Sequence, residues 1–160
     1  MTARAYIALG ANLGDPVATV RAAIDALRRL PRSNLVATSS LYRTAPVGLK
    51  QQPDFINAVA LLDTDLQPRE LLDSLFKVEH DFGRERSIKN APRTLDLDLL
   101  LWDDIVMAED GLTLPHPRMT ERAFVLAPLA EITPDLAIPG HDTVTALLAR
   151  LGDQRIEKLA

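Results

Sequence analysis

The stretch of the sequence that most directly suggests chemistry is residues 92–101, where two aspartates interrupt an apolar run. A near-continuous apolar run entered from a proline is typical of a buried β-strand. Because successive side chains of a strand point to opposite faces, Asp96 and Asp98 share one face and the neighbouring leucines share the other. Their Cβ atoms then lie about 6.5–7 Å apart, twice the rise per residue. This separation suits two carboxylates that hold a pair of cations about 3.5–4 Å apart.

The residues after the two acids place them at the entry end of the strand. Alternation predicts that Leu100 and Trp102 lie on the same face as Asp96 and Asp98. Two ionised carboxylates on an apolar sheet repel each other and lose hydration unless a cation or an arginine lies between them. The pattern is also compatible with a solvated edge strand, or with structural salt bridges from the acids to arginines.

A cluster of positive charge precedes this strand. Within residues 84–93 the only acid is Glu85, and the basic residues are Arg84, Arg86, Lys89 and Arg93. Magnesium is held in proteins by one or two carboxylates while substrate phosphates supply further oxygens, and guanidinium groups bind the remaining phosphate oxygens in pairs. Cations followed by an acid pair therefore predict phosphoryl-type transfer from a nucleotide. The polar loop 83–91 is a candidate lid over a bound anion.

Composition limits the other possibilities. A chain of 160 residues is long enough for one domain with its own core, so residues 1–160 are expected to form a single domain. The absence of cysteine excludes disulfides, thiolate metal sites and cysteine nucleophiles, and three histidines disfavour an all-histidine zinc site. The net charge of −4 argues against nonspecific nucleic-acid binding. With no apolar run of membrane-spanning length and no signal-peptide pattern, we expect a cytoplasmic protein without a membrane partner. We also expect a monomer that acts on small molecules, without a nucleic-acid partner.

The rest of the sequence predicts the framework that positions these residues. Strands are predicted over 5–9, 35–42 and 54–62, and helices begin at Pro16, with Asp15 as N-cap, and at Pro68. Gly10 and Gly14 are expected in a tight strand-to-helix turn, not in a phosphate-binding loop. A short helix over 120–126 and a last helix over 143–151 follow. The order β-α-β-β-α-β with extra C-terminal elements predicts an α+β, ferredoxin-like split βαβ sandwich, with helices packed on a mostly antiparallel sheet.

Of three further polar residues, two have more than one interpretation on the pattern alone. Asn57, on a largely apolar strand, needs partners for its amide, which are either nearby backbone or the polar edge of a flat heterocycle. His116 lies between two prolines and is either a fixed donor to a phosphate oxygen or a loop histidine bonded to main chain. Glu79, near the end of the second helix, is expected on the surface.

Six segments of the chain resemble the 6-hydroxymethyl-7,8-dihydropterin pyrophosphokinase family, in the family's order and spacing. They are YIALGANLG (6–14), YRTAPVG (42–48), QPDFIN (52–57), NAPRTLDLDLL (90–100), LTLPHP (112–117) and RAF (122–124). The resemblance implies transfer of pyrophosphate from ATP to the hydroxymethyl group of the pterin, leaving AMP, as a step of folate biosynthesis.

The resemblance also implies roles for individual residues. Asp96 and Asp98 would hold two Mg²⁺ ions and, with Arg84 and Arg93, form the catalytic set. The positions that match the nucleotide site are Glu79, Arg84, Arg86, Arg93, Thr113, His116 and Arg122. The positions that match the pterin pocket are Thr44, Pro46, Val47, Phe55, Asn57 and Phe124. In that pocket the two phenylalanines would sandwich the ring, and Asn57 would bind its polar edge.

Two other functions use similar residues. A two-metal nucleotidyl transferase or nuclease also needs an acid pair on a strand, although the acidic net charge counts against a polymeric substrate. A nucleotide-sensing ferredoxin-like module would bind a nucleotide as an effector, without Mg²⁺-dependent consumption of ATP.

Overall fold

The computed structural model describes residues 2–45, 53–82, 95–152 and 154–159. The proposed lid, 83–91, lies outside the described residues, and Arg84, Arg86 and Arg93 lie outside them too. The same holds for Pro46 and Val47. The roles suggested for these five residues therefore stay predictions.

One six-stranded sheet and one hairpin organise the described chain. The strands are β1 (Ala3–Ala11), β2 (Ser33–Thr38), β3 (Tyr42–Thr44), β4 (Phe55–Thr64), β5 (Asp96–Trp102), β6 (Met107–Glu109), β7 (Leu112–Leu114) and β8 (Ile156–Lys158). The large sheet has the order β5-β1-β4-β3-β8, with β2 also paired to β4, and β6 pairs with β7. Every pairing is antiparallel, as the predicted α+β class requires.

Helices cover both faces of the sheet. They are α1 (Pro16–Arg28), α2 (Pro68–Asp81), α3 (Ala123–Ile132) and α4 (Val144–Arg150), and a 3₁₀ turn (Met119–Glu121) precedes α3. The apolar sides of α1 and α2 form one core with the sheet, and α3 and α4 form a second core on the opposite face. The side chain of Asp15 accepts the Ala18 N–H at 3.2 Å, so the predicted N-cap is confirmed.

Two elements differ from the prediction. The strand predicted over 35–42 is divided into β2 and β3 near Ser39, whose hydroxyl accepts the Val59 N–H at 2.9 Å in place of a main-chain carbonyl. The helix predicted over 120–126 is a 3₁₀ turn followed by α3, which continues through Pro128. Pro128 and Leu129 are both buried, so packing on the sheet carries the helix past a residue that locally disfavours it.

An irregularity in β5 moves Trp102 away from the face of the acids. Tyr6 pairs with Leu101 and Ile7 with Leu99, which leaves Leu100 as an extra residue. Leu100 packs in the core beneath α3, on the predicted face, but Trp102 packs on the α1–α2 side and its indole N–H donates to the Leu66 carbonyl at 3.0 Å. The prediction that Trp102 shares the face of Asp96 is therefore wrong.

Glu131 fastens the end of α3 to the sheet. Its carboxylate accepts hydrogen bonds from the Tyr42 hydroxyl at 2.6 Å and from the Ser40 hydroxyl and N–H at 2.9 and 3.0 Å. Partial burial raises the pKa of Glu131, but these hydrogen bonds outweigh it and hold the pKa below its ordinary value. The ionised form is therefore the one that binds α3 to the β2–β3 connection.

We expect Glu131→Gln to lower the free energy of unfolding by about 1 kcal/mol at pH 7, because the charged acceptor is lost from a partly exposed site. The pKa of Glu131 is lower in the folded than in the unfolded chain. The stabilisation by its carboxylate is therefore full above about pH 4.5, and it is lost as the pH falls through the pKa of the folded protein. Urea unfolding at pH 7 and pH 3 measures it. Glu157→Gln, which removes an exposed pair with Arg43 at 3.9 Å, is the control and should cost less than about 0.5 kcal/mol. An equal loss at both pH values for Glu131→Gln would contradict this account.

Candidate active site

Asp96 and Asp98 lie on one face of β5, as the alternation predicted. They stand opposite Gly10 and Ala8 of β1, and both are partly exposed. Among the described strands β5 is at the edge of the sheet, so the edge position considered in the sequence analysis is correct. The two acids nevertheless line a cavity of about 500 Å³.

A row of paired residues leads from the acids across the sheet. Asp96 pairs with Gly10, Gly10 with Asn57, and Asn57 with Tyr42. Gly10 is therefore a strand residue and not part of the predicted turn. A Cβ atom at Gly10 would lie 3.0 Å from Asn57 Oδ1, so the missing side chain makes room for this amide. The buried Asn57 donates through Nδ2 to the Thr44 hydroxyl at 2.7 Å, which makes its partner a side chain and not the backbone.

Aromatic and cationic side chains complete the same cavity. Phe55 of β4 and Phe124 of α3 are half-buried and both line it. The Arg122 guanidinium carbon lies 5.5 Å from the centroid of the Phe124 ring. Burial lowers the pKa of Arg122, while Asp98 and Asp96 oppose this effect, and arginine stays charged at neutral pH. The structure therefore brings Arg122, which the resemblance gives to the nucleotide, into the cavity of the acids.

A second cavity, of about 300 Å³, follows the edge of β5. Its lining residues come from α2, β5 and the segment 111–117. They are Leu72, Phe76, Leu97, Asp98, Leu99, Gly111, Leu112, Thr113, His116 and Pro117. Thr113 and His116, two predicted nucleotide positions, thus lie together. Asp98 lines both cavities, so it stands where they meet.

His116 is held in a defined orientation. Its backbone N–H donates to the Leu100 carbonyl at 2.9 Å, and its ring Nδ1 accepts the backbone N–H of Arg118 at 3.2 Å. Burial, with the nearby Arg122 and Arg118, lowers the pKa of His116 to about 4, against an opposing effect of Asp96. The imidazole is therefore neutral at pH 7. Because Nδ1 is an acceptor, Nε2 carries the hydrogen and is a donor.

Glu79 is buried, so its expected surface position is wrong. The residue is 2% exposed, and its carboxyl group accepts the Leu97 N–H at 2.7 Å. Glu79 lines neither of the two cavities described above. Glu79 binds the backbone of Leu97, which lies between Asp96 and Asp98. The sequence pattern predicted solvent at the end of α2, but β5 packs there. Only tertiary packing decides this exposure.

Seven described residues of the larger cavity were not predicted from the sequence as site residues, and three of them, Ala8, Leu9 and Ala45, are small or apolar residues without a polar side chain. The other four are Gly10, Arg118, Glu121 and Gln154. A glycine at position 10 is as typical of a turn as of a strand position that a neighbouring side chain approaches closely. The sequence around Gln154 gives no sign of a site, because its position depends on the chain returning to the start of α3. Among the described residues, no group of three or more histidine, aspartate or glutamate side chains is placed to hold a metal ion. The described part of the site offers the two aspartates alone.

Comparison with known proteins decides the family. The family model for 7,8-dihydro-6-hydroxymethylpterin-pyrophosphokinase (HPPK) matches residues 6–134. The chain belongs to the HPPK family. It is 46% identical over 159 residues to the 2-amino-4-hydroxy-6-hydroxymethyldihydropteridine pyrophosphokinase of Pseudomonas aeruginosa, covering 99% of this chain and 98% of the relative. It is 44% identical over 155 residues to the Haemophilus influenzae enzyme of the same name, covering 97% of each.

Longer proteins contain a similar part. The Schizosaccharomyces pombe folic acid synthesis protein fol1 is 36% identical over 153 residues, which are 95% of this chain but 21% of that protein. The wild-type Plasmodium falciparum HPPK-DHPS crystal structure has a TM-score of 0.75 at 14% identity, and the match covers 94% of this chain and 45% of the Plasmodium chain. At that identity the likeness shows the fold alone.

These findings confirm several predictions made from the sequence. The HPPK family, the pyrophosphokinase type of enzyme, the context of folate biosynthesis and the ferredoxin-like fold are all confirmed. An ATP-dependent reaction on small molecules follows from the family. Within the described residues, no helix has the length and apolar character needed to cross a bilayer.

We expect the His116 imidazole to stay neutral from pH 8 down to about pH 5, with its hydrogen on Nε2, because burial opposes the charged form. Titration of imidazole ¹⁵N chemical shifts, assigned with a His116→Gln sample, measures both properties. The transition should be centred near pH 4. A midpoint near the ordinary histidine value, or an Nδ1–H tautomer, would contradict the geometry described here.

Proposed function

We propose that the two cavities that meet at Asp98 bind the two substrates of the pyrophosphokinase reaction. The larger cavity takes the reduced hydroxymethylpterin, and the cavity along the edge of β5 takes ATP. The observation that carries this proposal is that Asp98 lines both cavities. One carboxylate can then act where a group passes from one substrate to the other.

The lining of the larger cavity suits a flat heterocycle. Phe55 and Phe124 offer aromatic faces, and each stacking contact contributes about 0.5–1.5 kcal/mol beyond its buried area. Asn57 and Thr44, joined by their hydrogen bond, offer polar groups to the amide-like edge of a pterin. A ring held between the phenylalanines would bring its hydroxymethyl group towards Asp96 and Asp98. Pro46 and Val47 belong to this pocket by the resemblance.

The cavity along β5 suits a nucleotide. Its apolar residues can receive a base, and Thr113 and the Nε2–H of His116 supply donors for phosphate oxygens. A neutral histidine with a fixed hydrogen is a donor over the whole neutral range of pH. Glu79 supports this wall by holding the Leu97 backbone. Arg84, Arg86 and Arg93 are proposed to bind the phosphates from the preceding loop, with Arg84 and Arg93 in catalytic roles.

Asp96 and Asp98 fit a site for Mg²⁺. Both carboxylates lie on one face, both line the same cavity, and the described residues offer no larger cluster of ligands. Magnesium takes one or two protein carboxylates and completes its coordination with phosphate oxygens and water. We therefore assign two Mg²⁺ ions to this pair. When bound, they would neutralise the triphosphate and orient it for displacement.

The remaining steps belong to the side chains of the protein. The pterin hydroxyl oxygen loses its proton to solvent and forms a bond to the β-phosphorus of ATP, the bond between that phosphorus and the α–β bridging oxygen breaks, and AMP leaves with that oxygen. Phe55, Phe124 and Asn57 hold the attacking group in position. Arg122, which lies near both acids and over Phe124, adds positive charge where negative charge develops.

We also propose that residues 1–160 act as one catalytic domain, as a cytoplasmic monomer without a nucleic-acid partner. The six-stranded sheet, with described helices packed on both of its faces, supports one domain, and the net charge of −4 counts against a nucleic-acid partner. Family membership favours the pyrophosphokinase over the nucleotidyl transferase, nuclease and sensor alternatives.

The test is an assay of the purified protein with Mg²⁺, ATP and 6-hydroxymethyl-7,8-dihydropterin. One AMP should form for each pterin diphosphate, and chelation of Mg²⁺ should stop the reaction. Asp96→Asn and Asp98→Asn should each lower kcat/KM by about 100-fold or more, because each removes a negative ligand and keeps the size of the side chain. Asp63→Asn, at the far end of β4 and 3.8 Å from Arg4, is the matched control and should stay within about twofold.

Three results would contradict the proposal. Formation of ADP in place of AMP would mean transfer of a single phosphoryl group. No consumption of ATP, with binding alone, would favour a sensor. Normal turnover by Asp96→Asn and Asp98→Asn would remove the assignment of metal ligands while leaving the family intact.

We expect Gly10→Ala to raise the KM for the pterin by about fivefold while the KM for ATP stays within twofold. The added methyl group would lie 3.0 Å from Asn57 Oδ1, so the amide has to turn away from the pocket edge. Steady-state kinetics with each substrate varied in turn measures this difference. Gly152→Ala is the control, because a Cβ there has no atom within 4 Å. An unchanged KM for the pterin would show that the Asn57 amide does not bind the polar edge of the pterin ring.

A further inference from the structure

The backbone around Arg122 is a junction between two helical segments. Arg122 closes the 3₁₀ turn Met119–Glu121 and is also the N-cap of α3, with an extended backbone at φ −119° and ψ 109°. Its own side chain makes no capping hydrogen bond. The last carbonyl of one segment and the first N–H of the next therefore need partners from elsewhere, as helix ends generally do.

Gln154 supplies both partners. Its Oε1 accepts the Ala123 N–H at 2.9 Å, and its Nε2 donates to the Glu121 carbonyl at 2.9 Å. One amide side chain thus binds the backbone on both sides of Arg122, although it lies more than thirty positions further along the chain. These two bonds fix the peptide planes from which the side chains of Arg122 and Phe124 project into the larger cavity.

The strand that follows Gln154 reaches the opposite wall of that cavity. In β8, Ile156 pairs with Thr44 of β3, and the Leu159 N–H donates to the Leu41 carbonyl at 2.8 Å. Thr44 is the residue whose hydroxyl holds the Asn57 amide. Residues 154–159 therefore contact the start of α3 on one side and the Asn57–Thr44 pair on the other.

We propose that Gln154 is a positioning residue for the pterin cavity, because it sets the direction in which Arg122 and Phe124 enter that cavity. This inference rests on the proposed use of the cavity for the pterin. Gln154 acts through the backbone of its neighbours and is not a catalytic residue. A role in stability alone would change the fraction of folded enzyme without changing the affinity of the folded part.

The test compares Gln154→Met, which keeps the size of the side chain and loses both hydrogen bonds, with the unaltered protein. Calorimetric titration with the pterin, in the presence of Mg²⁺ and a non-hydrolysable ATP analogue, should show a Kd about five- to tenfold higher. The Kd for the ATP analogue should stay within twofold. Gln67→Met, at the N-cap of α2 on the other face of the sheet, is the matched control and should leave both constants unchanged.

A double variant separates positioning from direct contact. If Gln154 acts through the start of α3, then Gln154→Met should raise the Kd for the pterin less in a Phe124→Ala background than in the unaltered protein, because part of the wall that it positions is already lost. Fully additive effects would overturn the inference, as would a Gln154→Met protein with unaltered affinity. Gln154→Glu keeps the acceptor for Ala123 and should show a smaller rise; it serves as the test if Gln154→Met does not fold. An unaltered protein that does not bind the pterin would contradict the proposed function instead.

Discussion

Two carboxylates of like charge have to stand side by side at one end of β5, and this constraint organises the site. Asp96 and Asp98 share one face of the strand. Between them in sequence, the backbone N–H of Leu97 donates a hydrogen bond to the buried Glu79. Three acidic side chains thus converge on a few residues of one strand. Two carboxylates on one face of a strand need cations nearby. Arg122 is one of them in the described structure, and its pKa shows the influence of both aspartates.

The edge position of β5 explains why one strand lines two cavities. One face of the strand looks into the larger cavity, and its outer edge runs along the smaller one. An exposed strand edge is open to pairing with other chains unless it is covered. Here the segment after β7 covers part of it, through the His116 N–H on the Leu100 carbonyl. Thr113 of β7 and His116 of the segment after it both line the smaller cavity, so protection of the edge and construction of that cavity use adjoining residues of the chain.

Local rules predicted much of this fold, and long-range contacts account for what they missed. Alternation placed the acid pair, and capping rules placed the start of α1, because both depend only on neighbours in sequence. The family resemblance, and not the pattern, favoured site roles for Asn57 and His116. The extra residue in β5 moved Trp102, and packing buried Glu79 and carried α3 through Pro128. The strand β8 and the bonds of Gln154 depend on a return of the chain that no local pattern encodes.

The distance between Phe55 and Phe124 depends on how firmly α3 is held over the sheet. Phe55 belongs to the sheet and Phe124 to the start of the helix, so any sliding of α3 would change the gap between them. Apolar burial alone fixes such a position poorly, because it is not directional. Hydrogen bonds are directional, and α3 has them at both ends, from Gln154 at its first N–H and through Glu131 near its last turn. Directional bonds at both ends therefore hold α3, and with it Phe124, in place relative to Phe55, and a cavity wall that is already ordered removes part of the ordering cost of binding.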